Sequence, residues 1–303
     1  MTKSQHQSHP APSIKEVNGK LVSYIDNHVS ATVIADSINQ FGQRITTFQL
    51  TFPRIILPEF NTHRKFSRNA ASTRAIPAKK SIARVRENPF VPFYVGVNQS
   101  GMQSDNLVSD EVKDRFQKEW VELMGIVADY VERWTDSDGM NIHKQIACRA
   151  LEPWTFSQVV MTTTDLTNFD ELRNHTDAEP HIHDLAIVIK DIASRSVPVL
   201  RTSVNDWHLP YVSDEERDQF EIADLLAFST ARCARVSYLL HDGTTPNQEK
   251  DQGLHDGLVA SRPIHASPTE HQAYPNPTGE TCKNHDGWVQ YRAIIEANMY
   301  ANV

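Results

Sequence analysis

RALEPWTFSQVVMTTTDLTNFDELRNHTDAEPHI, residues 149–182, decides the class of fold. Its first residues finish a helix expected over 141–152, which Pro153 stops because proline lacks the amide hydrogen and restricts the residue before it. FSQVVMTT, residues 156–163, is a short run rich in β-branched and apolar side chains and reads as a strand. Helices are expected at about 166–174 and 181–195. A strand set among helices without a βαβ rhythm points to an α+β protein rather than a parallel doubly wound one.

The same mixture continues on either side. Residues 111–134 give the clearest helix, with Val112, Phe116, Trp120, Val127 and Val131 on or near one stripe and Asp136–Gly139 ending it. Two β-like runs lie upstream, around residues 31–35 and at 45–52. Residues 84–110, rich in Pro, Gly, Asn and Ser, read as a long loop. Downstream, a helix is expected over 215–231, another near 248–260 within a loop-rich stretch, and a helix or strand around 288–298. Residues 1–28, dense in Ser, His, Gln, Lys and Pro, read as a flexible N-terminal arm. Residues 29–303 read as a single catalytic domain.

Bulk properties narrow the function classes. The chain has 303 residues, 39% apolar and 22% charged, which suits a globular protein with a sizeable core. A net charge of −8 argues against a nucleic-acid partner, because duplex binding needs a basic face. Cys148, Cys233 and Cys282 are far apart and odd in number, which fits unpaired thiols in a reducing cytoplasm. No apolar run approaches the ~20 residues of a membrane span, and the N-terminus lacks a signal-peptide core. His181 and His183 in EPHIHD are spaced i, i+2, off a common helix face, so no metal site is expected. No glycine-rich phosphate loop occurs.

THRKFSRNAASTR, residues 62–74, is the first stretch with chemistry in it. Arg64, Lys65, Arg68 and Arg74 alternate with Ser67, Asn69 and Ser72. Guanidinium forks, hydroxyls and turn amides together can cradle an anion. A solvated basic helix face has the same composition.

Set beside 149–182, this stretch resembles the flavin-dependent thymidylate synthase family, and in particular its virus-encoded members. That family carries Arg-His-Arg, seven residues, a serine and soon an arginine. Here Thr62-His63-Arg64, Ser72 and Arg74 stand at those places, with Asn69 at the family's asparagine. Arg149, Pro153, Trp154-Thr155, Asn168-Phe169, Leu172-Arg173, Ala178-Glu179 and Ile182 follow the family's second pattern without gaps. Two segments that open typical members are missing before residue 45. They occur late instead, as Cys233-Ala-Arg-Val-Ser-Tyr238 and His265-Ala-Ser-Pro-Thr-Glu-His271. The chain therefore resembles a circular permutation of the family, residues 232–303 corresponding to the usual N-terminal segment.

The resemblance implies an antiparallel sheet with packed helices and a non-Rossmann flavin site. It implies FAD and methylene-tetrahydrofolate as cofactor and one-carbon donor, with NADPH as the reductant. The product would most simply be dTMP from dUMP, made in the cytoplasm (of the host, if the protein is viral). The sites would lie between subunits of a homotetramer. Ser72, Arg74 and Arg149 would hold the nucleotide. Arg173, with Ser72, would be catalytic, and Glu59, Arg173 and Glu179 would bind the substrate with them. His63, Arg64, Asn69, Asn168, Ser237, His265 and Ser267 would line the flavin and folate pocket. Departures bear on both ligands. Thr62, Ala70, Thr162 and Thr164 replace an arginine, a glutamate, an asparagine and an arginine near the flavin. Glu59 and Glu179 replace two glutamines, and a carboxylate only accepts hydrogen bonds, which favours the N4 amine of cytosine. Alternatives therefore stay open: dCMP as substrate, a hydroxymethyl product for viral DNA, or a nucleotide- or flavin-binding protein without turnover.

Overall fold

The computed structural model describes residues 9–26, 28–104, 106–236, 247–261 and 263–300. Strands β1 (Ser13–Val17), β2 (Lys20–Ile25), β3 (Val29–Asn39) and β4 (Arg44–Pro53) come first. Helix α1 (Leu57–Phe60), strand β5 (Ser67–Ala70) and helices α2 (Ala78–Glu87), α3 (Asp110–Thr135) and α4 (Lys144–Ala147) follow. Then come β6 (Phe156–Thr163), α5 (Thr167–Arg173), α6 (Pro180–Arg195) and β7 (Val199–Arg201). The chain continues with α7 (Asp214–Gln219), α8 (Ile222–Val236), α9 (Gln248–Ala260), β8 (Ala273–Pro275), β9 (Trp288–Gln290) and α10 (Tyr291–Tyr300). This is an α+β protein.

The main sheet runs β1-β2-β3-β4-β6-β5, antiparallel throughout, with β7 pairing parallel to the end of β3. Period-2 alternation gives it two covered faces. Phe48, Leu50 and Phe52 of β4 and Val159 and Met161 of β6 point to one face, against Ile182, Leu185 and Ile189 of α6 and the rings of Phe60, Phe66 and Phe169. Each such side chain, fully buried, stabilises the fold by roughly 1.5–3 kcal/mol. The opposite face carries Ile45, Thr47, Val160 and Thr162, and the C-terminal third of the chain covers it. Trp288 and Ala273 of the β8–β9 pair pack on Ile45, and Cys233 and Val236 of α8 pack on Val160. A satellite core lies between α2, α3 and the 3-10 segment Cys148–Trp154, around Val85, Met124, Val131 and Leu151.

Several expectations need correction. From residue 13 the stretch read as a flexible arm forms β1 and β2. Asn18 and Gly19, at φ 51° and 74°, make the tight turn between them, as expected of an Asn-Gly hairpin, whose central residues need positive φ. The arm is also tied down at residue 9. Asp184 on α6 is fully buried and accepts hydrogen bonds from His9 Nδ1 (2.6 Å), His28 Nε2 (2.6 Å) and Tyr94 Oη (2.7 Å). The loop expected from residue 84 starts only after α2. The helix expected over 141–152 is one α-helical turn continued as 3-10. The helix expected over 215–231 is two helices, because Ser213 and Glu216 close a capping box on α7 and Phe220 leaves it in extended backbone before α8.

Candidate active site

β5 is an edge strand, paired only with β6, and the residues singled out in the sequence gather around it in three groups.

The first lies where the chain enters β5. The turn after α1 folds back on itself, with Thr62 N donating to Glu59 O and His63 N to Phe60 O. His63 is thereby buried against the Phe66 and Phe169 rings, whose centroids lie 5.5 and 4.9 Å from its own. Arg173, in the last turn of α5, donates from Nε to His63 Nε2 at 3.0 Å, and from Nη2 to Thr62 Oγ1 at 3.3 Å and Glu59 O at 3.5 Å. Arg68 Nη1 donates to His63 O at 2.6 Å. A guanidinium can only donate, so Nε2 of His63 is the lone-pair nitrogen and the ring is neutral. Burial, then the Arg173 and Arg68 charges, push its pKa down to about 4. His63 thus supports Arg173 from inside, where it was expected to face the flavin. Arg173 Nη1 makes no hydrogen bond among the described residues, and Glu59 Oε2 is buried without one.

The second group lies where the chain leaves β5. Glu152 Oε1 gathers Thr73 Oγ1 (3.0 Å), Arg54 Nη2 (3.3 Å) and Arg149 Nη1 (3.6 Å). Ser72 Oγ accepts from Arg74 N at 3.3 Å, and both Arg74 and Arg149 are exposed. A cavity of about 630 Å³, lined in part by Arg54, Thr73, Trp154 and Gln158, adjoins this group. The two groups attach at opposite ends of β5, a four-residue strand that spans roughly 10–13 Å. Among the described residues no hydrogen bond or ion pair joins them.

The third group is the late segment, on the Ser67–Asn69 side of β5. The 3-10 turn Ser267–Glu270 packs on the strand. His271 Nδ1 pairs with Thr162 Oγ1 at 2.8 Å, Asn284 Nδ2 donates to Ser67 Oγ at 3.0 Å, and Lys65 reaches Asp286 at 2.7 Å. Burial pushes His271 down to about 3 and His285 to about 4, so both rings are neutral. Ser267, in the turn that packs on β5, and His265 just before it are exposed, and neither makes a hydrogen bond or ion pair to His63 or Arg173 among the described residues. Asn69 Oδ1 is buried and unpartnered.

Two candidates stand apart, and one escapes description. Asn168 is exposed in the first turn of α5. Glu179 caps α6: Oε2 accepts from His181 N (2.9 Å) and Ile182 N (3.0 Å), and Oε1 from His181 Nδ1 (2.6 Å). Its carboxylate is engaged within its own helix rather than turned toward a base. Ser237 lies outside the described residues. Arg68, a half-buried prop for His63, was visible as part of the basic cluster but carried no role of its own. The three cysteines are free. Among the described residues, no three His, Cys, Asp or Glu side chains gather to hold a metal ion, and no helix is long and apolar enough to cross a membrane.

No family model matches this sequence, and no curated protein matches it. Among solved structures, it is similar to a UMP/dUMP methylase, PolB from Streptomyces cacaoi, bound with 5-Br UMP. The identity is 16%, the match covers 57% of this chain and 90% of that one, and the TM-score is 0.46. The same enzyme bound with 5-Br dUMP gives 18% identity, 50% and 65% coverage and a TM-score of 0.40. Likeness of that degree fixes neither fold nor activity.

Proposed function

We propose that the chain is an enzyme of the flavin-dependent thymidylate synthase type. It places a one-carbon unit from methylene-tetrahydrofolate on C5 of a pyrimidine deoxynucleotide, with FAD as cofactor and NADPH as reductant. The observation that carries this reading is the 3.0 Å hydrogen bond from Arg173 to His63. It joins two motif residues 110 positions apart at one strand edge and leaves two guanidinium N–H groups on Nη1 free for a ligand.

The donor set around β5 fits a flavin dinucleotide. Among the described residues the side chains of Arg64, His265 and Ser267 are exposed and make no hydrogen bond, and Asn69 Oδ1 is a buried acceptor without a partner. A free cation suits a diphosphate, and amide and hydroxyl groups suit the edge of a ring. Bound FAD would supply the hydride that reduces the attached methylene group to methyl.

The chain's own residues bind, orient and polarise. Arg173 Nη1 stabilises charge developing on the pyrimidine carbonyl side, and His63 fixes the plane of that guanidinium. Ser72, Arg74 and Arg149 hold phosphate and sugar. The separation between the Arg173 and Arg74 groups supports sites shared between subunits of a homotetramer, each group serving a different nucleotide.

A second reading concerns the product. Thr162 Oγ1 is engaged by Thr47 and His271, and Thr164 Oγ1 accepts from Asp286 N at 3.0 Å. Two positions expected near the flavin are therefore tied into the protein. That favours an altered flavin shell, and with it a hydroxymethyl product, formed when water rather than hydride meets the methylene group. Incubation with methylene-tetrahydrofolate, FAD, NADPH and each nucleotide tests both readings: the mass of the product separates methyl from hydroxymethyl, and flavin bound without turnover would leave a binding protein.

A further inference from the structure

Helix α3 carries a second apolar stripe, which the described residues leave open to solvent. We propose that a second copy of this chain covers it, the two α3 helices packing antiparallel about a two-fold axis at Leu123.

One face of α3 is used inside the chain. Met124, Ala128 and Val131 are buried, and Trp120, Val127 and Trp134 pack at the edge of the same satellite core. The remaining surface of such a helix is normally polar. Here Val112, Phe116, Leu123, Ile126 and Tyr130 follow one another at helical spacings, which sets them in one row beside the buried face. Val112 is 51% exposed, Leu123 48%, Ile126 55% and Tyr130 46%. Ile142, 39% exposed, donates its N–H to Trp134 O and prolongs the apolar surface at the C-terminal end of the helix. Single apolar side chains on a surface are ordinary, but an aligned row along a 26-residue helix marks a contact.

The row reads alike in both directions from Leu123. Phe116 and Tyr130 lie seven positions to either side of it, and Val112 and Trp134 eleven. A two-fold axis sets each residue level with the position equally far beyond the axis on the other copy. Leu123 then meets Leu123, Phe116 comes level with Tyr130, and Val112 with Trp134. A face shaped for an unrelated partner has no need of that match. The charges at the two ends agree with it. Asp110 and Glu111 stand in the first turn and Arg133 in the last, so antiparallel order sets acid against base and opposes the helix dipoles, where parallel order would set like against like. Two helices touching along about 39 Å bury on the order of 1,000–1,200 Å² in total, the lower end of what a specific interface needs, so pairing at about micromolar concentration is expected.

The test uses the full chain and readouts that do not depend on the reaction proposed above. Light scattering over a range of concentrations should show the wild type as a dimer or a multiple of one. Leu123→Glu, which sets two carboxylates against each other on the axis, should halve that mass. Because position 123 meets itself, a short bis-maleimide should join Leu123→Cys chains in pairs, in far higher yield than the wild type or Val121→Cys, whose altered position lies off the row. A wild type with the monomer's mass at every concentration would leave the row to a different protein and overturn the proposal. An L123E of unchanged mass, or cross-linking no stronger at 123 than at 121, would mean that the copies meet through another face and overturn it too. If L123E does not fold, the cross-linking comparison decides alone.

Discussion

Replacing Asp184 by asparagine should cost stability in a way that depends on pH. Burial alone would raise the Asp184 pKa, but hydrogen bonds from His28, His9 and Tyr94 outweigh it and bring the group from 3.8 to about 2. At about 1.36 kcal/mol per unit, that difference is roughly 2–2.5 kcal/mol. The sign follows from proton counting. The unfolded chain binds the proton more readily, so this stability is fully present well above pH 4 and is lost as pH falls through about 2. At pH 3 roughly half of it remains. Asp184→Asn removes the charge and leaves His9, His28 and Tyr94 competing for one carbonyl oxygen, so a loss of about 2–4 kcal/mol is expected at neutral pH. Urea unfolding of both proteins at pH 7 and pH 3 measures it. The gap should narrow by about 1 kcal/mol at pH 3, and amides in β1 and β2 should exchange faster in the variant. A gap that is negligible at pH 7, or the same at both pH values, would refute the assignment of the Asp184 cluster as the clamp on the N-terminal hairpin.

Two further substitutions probe the site and its cover. His63→Leu keeps the aromatic pocket filled but removes the acceptor for Arg173, so kcat/KM should fall by about 10- to 100-fold, the worth of one charge-assisted hydrogen bond; in the wild type the same bond should fail only as pH drops toward about 4, where His63 takes a proton beside Arg173 and Arg68. Trp288→Ala removes a fully buried side chain and one of the two hydrogen bonds to Gln43 O, which accepts from Trp288 Nε1 at 3.1 Å and keeps the one from Asn39 N. A global loss of about 3–5 kcal/mol is expected, and calorimetry showing two separate transitions in place of one would mean that the late segment is an appended module.

The sequence makes some of this legible and hides the rest for physical reasons. β6 and α6 could be placed almost to the residue, because an apolar β-branched run ends at Pro153 on one side and an apolar helical pattern starts at Pro180 on the other. β1 and β2 went unread because Ser13–Val17 lies at an edge with little apolar content, yet Asn18-Gly19 between alternating residues was a hairpin signal in plain view. The nearness of His63 and Arg173 came only through the motif resemblance, since no local pattern links positions 110 apart. The engagement of Glu179 was visible in Glu-Pro-His, a capping residue followed by proline at the first helical position. The unpartnered oxygen of Glu59 was not visible at all, because it depends on which way a four-residue helix turns one side chain. The late segment's place against β5 follows from long-range pairs such as Lys65–Asp286 and Thr162–His271, whose members carry no sequence mark of each other.

The most direct test of the central claim is the mass of the nucleotide recovered after incubation with FAD, NADPH and methylene-tetrahydrofolate, run with dCMP and with dUMP. The arrangement around β5 predicts a pyrimidine nucleotide carrying a new methyl or hydroxymethyl group, formed only when the folate is supplied, the methyl product only when the flavin is supplied as well, and either abolished by Arg173→Ala. Unchanged dCMP and dUMP from a folded protein with flavin bound would contradict it.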